Sequence, residues 1–163
     1  GIGTYVSPGL VSPFLRWAAI VLDLCFAWYI DDHICSGYKF IMQNYRPGDK
    51  ICLFGFSRGA YVARALAGML HKVGLLPTDN MEQVPFAFKH YKRIGNDDVA
   101  EKYKKAFCRT VRIDFLGVWD TVDSVGILWG RTLPFTAGNK AIRVFRHALA
   151  LDERRTKFRP NLY

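Results

Sequence analysis

Apolar positions crowd the first part of the chain and then break into alternating short and long runs. "PFLRWAAIVLDLCFAWYI", Pro13 to Ile30, has too few polar residues for an exposed face and predicts a buried helix. "DDHICSGYKFIMQNY" follows, with Ile34, Tyr38, Ile41 and Tyr45 on one stripe at spacings of three and four, a second helix. Pro47 and Gly48 turn the chain into "KICLFGF", a short apolar run between turns that reads as a strand buried on both faces. "RGAYVARALAGMLHKVG" predicts a helix closed by Gly74, with Pro77 blocking any continuation. Two more helices are expected over Met81 to Arg93 and Asp97 to Phe107, the latter capped by Asn96 or Asp97. "TVRIDFLGVW", Thr110 to Trp119, is rich in β-branched and aromatic residues and predicts a second strand. After a glycine-containing loop, "NKAIRVFRHALALDE" reads as a last helix.

Strands alternating with helices point to an α/β fold, a mainly parallel sheet flanked by helices. A length of 163 residues suits one domain with a real core. The opening "GIGTYVSPG" and closing "FRPNLY" both read as chain cut in mid-course, so residues 1–163 are expected to form a single partial domain, incomplete at both ends.

Half the residues are hydrophobic and 15% aromatic, which argues against disorder. The net charge of +9 comes from 23 Lys and Arg against 14 Asp and Glu. Its densest stretches are "KHYKR", "EKYKK" and "RHALALDERRTKFR", spread along the chain. Such a charge fits a merely solvated basic surface, and it also suits peripheral contact with an anionic membrane. No recognition motif or interleaved aromatic pattern accompanies the charge, so no nucleic-acid partner is expected. The stretch Phe14 to Ile30 carries Arg16 and Asp23 and is short for a membrane span. Cys25, Cys35, Cys52 and Cys108 form no CxxC pair and no metal spacing, which points to free thiols in a reducing, cytoplasmic setting. Cys25 and Cys52, inside apolar runs, are expected to behave as small hydrophobes.

The chemistry centres on "GFSRGAY" at the seam between strand and helix. A serine there would project above the sheet on a tight, strained turn, and side chains at −2 and +2 would collide, which gives Gly55 and Gly59 a steric reason. The Arg58 N–H, at the helix start, would face the oxyanion of a tetrahedral intermediate. A phosphate-binding loop is excluded because no Gly-Lys-Ser/Thr follows the glycines.

Ser57 as nucleophile needs a base and an orienting acid, and α/β-hydrolases run in the order serine, acid, histidine. Asp120 follows the second strand immediately and would share the rim with Ser57; Asp123 is the reserve, and Asp114 inside the strand reads as a surface or structural group. His33, His71 and His90 precede the acid and read as ordinary side chains. His147 follows Asp120, as the order asks, but inside a predicted helix, which suits packing as well as catalysis. No metal and no organic cofactor is implied.

"GFSRGAYVARALAGML", "FLGVWDTV" and "HALALDERRTKFRPNLY", together with the early "GIGT", resemble a domain of unknown function shared by many fungal proteins and by type VI secretion phospholipase effectors. The resemblance covers most of the chain. It implies an α/β-hydrolase-like fold, an ester or phospholipid substrate, Ser57 as nucleophile and Asp120 as acid. The family's histidine lies in a later H-x-D-V-G-G-G stretch and its opening strand ends in D-G-T; this chain contains neither. The resemblance therefore implies a base supplied from outside these residues and a structural helix at "HALALDERR". Two functions follow: a serine ester hydrolase of lipase type, or a catalytically incomplete hydrolase-fold fragment acting as an interaction module or without activity.

Overall fold

The computed structural model describes residues 30–95, 97–120, 133–136 and 138–149. The expected first helix, apart from Ile30, falls outside these residues, as do Cys25, Asp123 and the closing "DERRTKFRPNLY". Helix α1 covers residues 30–44, and a turn at residues 47–48 leads into strand β1, Ile51–Phe56. Helix α2, Arg58–Val73, follows after one residue. A 3₁₀ turn, Met81–Gln83, runs into α3, Val84–Lys92, and α4, Asp97–Phe107, leads to β2, Ile113–Trp119, and β3, Ile142–Ala148.

The three strands form one sheet in the order β1-β2-β3, with both pairs parallel. The chain is an α/β protein, as the alternation of short apolar and long helical runs predicts. Helix α2 forms where four alanines lower the entropic cost of coiling, and it is buried nearly all round, from Ala60 to Val73. Gly74 ends it, its N–H donating to the Leu70 carbonyl. Ile34, Tyr38 and Met42 of α1, Leu66 to Val73 of α2, Val84, Phe88 and Tyr91 of α3, and Ile113, Leu116 and Val118 of β2 join in one core.

Three expectations fail. The last helix is strand β3: Ile142 pairs with Ile113, and the register runs unbroken from Phe115–Val144 to Trp119–Ala148. Six backbone rungs along β2 outweigh the helical tendency of Ala and Leu in this stretch. Strand β1 is not buried on both faces. Ile51 and Leu53 turn inward, whereas Cys52, Phe54 and Phe56 are exposed. Cys52 is accordingly not a buried small hydrophobe. Phe54 packs instead across the outer face of the sheet, its ring centroid 5.5 Å from Phe115 and 6.4 Å from Trp119.

Asp114 pairs with Arg143 of β3 at 3.3 Å. No helix among the described residues is long and apolar enough to cross a membrane.

Candidate functional site

Ser57 sits alone between β1 and α2, with φ 53° and ψ −117°. That positive φ is disfavoured for any residue with a β-carbon and costs about 1–3 kcal/mol. An ordinary helix-capping serine adopts extended backbone and accepts a bond from an N–H of the first turn. Ser57 does neither: its hydroxyl makes no capping bond. Its backbone is fixed from both sides, since its N–H donates to the Trp119 carbonyl at 2.9 Å and its carbonyl accepts from Ala60 and Tyr61. The serine is half-buried.

The flanking glycines differ. A β-carbon at Gly55 would lie 2.3 Å from the Gly59 carbonyl oxygen and 2.6 Å from the Ala60 α-carbon, so only glycine fits. A β-carbon at Gly59 would meet nothing within 4 Å. The expected steric reason therefore applies to Gly55 and not to Gly59. The first turn of α2 begins at Arg58, whose N–H and that of Gly59 lie ahead of any carbonyl their own helix could offer. The Arg58 side chain is exposed.

Asp120 is the first residue beyond β2, also at positive φ, 45°. Its N–H donates to the Ala148 carbonyl at 3.0 Å, and its side chain is exposed. Because Phe56, Trp119 and Ala148 share one rung, Ser57 and Asp120 step off adjacent strands together at their carboxyl ends. Reactive groups of α/β sheets collect on that rim.

His147 lies one rung lower, opposite Val118 in β3, rather than on a helix surface. Period-two geometry turns it to the same face as buried Val118, and its ring meets Phe145 edge-on at 6.1 Å. Burial and then the Arg64 charge hold its imidazole below the usual histidine value, against an opposing pull from Asp120. Its Nε2 is buried with no hydrogen-bond partner among the described residues.

The other histidines serve elsewhere. His71 lies edge-on to Phe135 at 5.0 Å, His90 stacks on Tyr103 at 4.7 Å, and His33 is an exposed residue of α1. A cleft of about 530 Å³, lined by His71, Lys72, Glu101 and Lys104 among others, includes neither Ser57 nor Asp120. Among the described residues no three His, Cys, Asp or Glu side chains gather as a metal site would need.

Sequence reasoning passed over Arg64. It is only 2% exposed, and its Nε donates to the Thr136 carbonyl at 2.6 Å. The signal lay in "VARALAGML", an apolar stretch of α2 with a single charge in it, seven residues and so about two turns beyond the serine.

A protein of Saccharomyces cerevisiae, "Uncharacterized protein YEL023C", is 44% identical over 151 residues, which cover 85% of this chain and 22% of that protein. The chain thus spans about a fifth of the length of the curated relative it matches. No solved structure matches significantly. Residues 1–163 match the family described as "T6SS, Phospholipase effector Tle1-like, catalytic domain". From Gly1 to Tyr163 this chain belongs to the Tle1-like phospholipase effector family, in its catalytic domain.

Proposed function

We propose that this chain carries the nucleophile and the acid of a serine ester hydrolase of lipase or phospholipase type. The supporting observation is Ser57 itself, held at φ 53° on a strand-to-helix turn without capping the helix, beside Asp120 on the same rim. Strain of this kind is kept where a side chain must project. Ser57 Oγ attacks the acyl carbonyl of the lipid and gives up its proton to a histidine. The Arg58 N–H, helped by the positive end of α2, holds the oxyanion. Asp120 orients the histidine, which passes the proton to the departing alcohol; water then releases the acyl group from Ser57.

That histidine comes from a part of the longer protein outside these residues. The family match supports a lipid substrate, and the +9 charge suits peripheral contact with an anionic bilayer.

The test uses the full-length protein and a fluorophosphonate probe. Ser57→Ala is expected to abolish labelling and to lower kcat/KM for a phospholipid by about 10³-fold or more. Labelling of the variant equal to wild type removes Ser57 as nucleophile. A second reading, that the 163 residues alone are an incomplete and inactive unit, is favoured by the place of His147, one rung below the rim and inside β3. Ester turnover by the isolated chain, lost in His147→Ala, would overturn it.

A further inference from the structure

We propose that the outward face of the sheet, centred on Phe54, Phe56 and Trp119, seats an amphipathic helix from the part of the longer protein beyond residues 1–163. That helix is apolar toward the three rings and acidic toward Arg146.

Register and period two put two whole rungs on this face: Phe54, Gly117 and Arg146, then Phe56, Trp119 and Ala148. The three large aromatics are 62%, 66% and 45% exposed, and none belongs to the hydrophobic core. Phe54 joins Phe115 and Trp119 across the gap between strands. A β-carbon at Gly117 would stand 2.9 Å from the Phe115 ring and 3.0 Å from the Phe54 ring, so both rings lean over the bare glycine. Aromatics that enter a bilayer project from the apolar side of a surface helix, whereas these lie along paired strands, a surface on which helices pack.

A parallel sheet carries helices on both faces, because its strands are apolar on both sides. Here β1, β2 and β3 stand side by side in chain order, and right-handed crossovers put each connection on the same side. Helices α1 to α4 join the core on the side of Ile51, Leu116 and Val118. The return to β3 keeps to that side too, with Leu133 bonded to Tyr61 and Pro134 to Tyr91. Extending this succession never reaches the opposite face; covering it takes chain from elsewhere in the protein. In the yeast relative the matched stretch is 22% of the length, so most of a protein built that way lies beyond it.

Charge narrows the partner further. Arg146 is exposed at the border of the rings, its Nη1 donates to the Phe145 carbonyl, and no carboxylate pairs with it among the described residues. An apolar stripe flanked by Asp or Glu complements this face in both shape and sign.

The experiment uses the full-length protein with Phe54→p-benzoylphenylalanine, a photoreactive aromatic. Irradiation is expected to join it, within one molecule, to a peptide outside residues 1–163 that carries an apolar stripe and a carboxylate. A link inside residues 1–163, to a second copy, to phosphatidylcholine–phosphatidylserine vesicles added to the sample, or to nothing overturns the proposal.

Cys52, exposed on the same face, gives a second measurement should the photoreactive variant not fold. In the unmodified full-length protein, maleimide is expected to label the Cys52 peptide at least about tenfold more slowly than in urea. Arg146→Glu, which sets like charges against each other, should quicken that labelling by about threefold or more. Labelling as fast in the native protein as in urea overturns the covered face, and an unchanged rate in Arg146→Glu overturns the acidic flank.

Discussion

A single methyl group is enough to obstruct the turn at Ser57. Gly55 faces the Gly59 carbonyl at a distance no β-carbon tolerates, so Gly55→Ala forces β1 and α2 apart where they meet. We expect it to destabilise the protein by about 1–3 kcal/mol, read as a lower urea midpoint. Gly59→Ala meets open space in the first turn of a helix and should leave stability within about 1 kcal/mol of the parent. In the sequence the two glycines look equivalent, placed symmetrically about the serine. Spacing shows which residues are neighbours across a turn but not whose carbonyl crosses whose α-carbon. For the same reason the strained serine was legible from its setting, whereas Arg64 was not: its partner is a backbone oxygen 72 residues away, which no local pattern reveals.

Helices α1 to α4, β1 and β2 were readable from helical stripes of apolar positions, from short apolar or β-branched runs, and from the turn residues that bound them. Strand β3 was not. "IRVFRHA" mixes β-branched residues with Arg and Ala, and what makes it a strand is the open edge of β2 beside it, which lies outside its own sequence. The two-sided burial expected of β1 failed from a related cause. An apolar run states how hydrophobic a strand is, while the described helices pack on its Ile51 and Leu53 side.

Element packing also yields a sharp test at α1. The fully buried Tyr38 hydroxyl donates to the Gly74 carbonyl and accepts from the Leu76 N–H, both at 2.9 Å, and so joins α1 to the exit of α2. Tyr38→Phe leaves both backbone groups without that partner and should cost about 1–3 kcal/mol in chemical denaturation, with catalytic rate unaltered.

At the scale of the whole molecule, burial sets the pH range in which the fold holds. His71, His90 and His147 all stay below the ordinary histidine value of 6.5, burial being the first cause in each and nearby Lys or Arg charges adding to it. The unfolded chain therefore binds protons that the native chain refuses, and stability falls as pH drops through 6.5. Cys35 and Cys108 are pushed up from 9.0 to about 11, and Tyr103 from 10.0 to about 12, again chiefly by burial. Tyr38 and Tyr91 are raised further still. Here the unfolded chain loses protons first, and stability falls as pH rises through 9 and beyond. The urea midpoint should accordingly be highest between about pH 6.5 and 9 and decline on both sides. A midpoint still rising from pH 9 to 10 would contradict this account.

The level rung shared by Phe56, Trp119 and Ala148 has a consequence of its own. Alignment of the serine with the aspartate runs through the peptide lattice, in two backbone hydrogen bonds from Ser57 to Trp119 and from Asp120 to Ala148, and among the strand residues beside it asks for a missing β-carbon at Gly55. Trimming an outer-face aromatic such as Phe54 to something smaller leaves both of those bonds in place. In such a frame, resilience to heat can change at the sheet's outer face without moving Ser57 and Asp120 out of line.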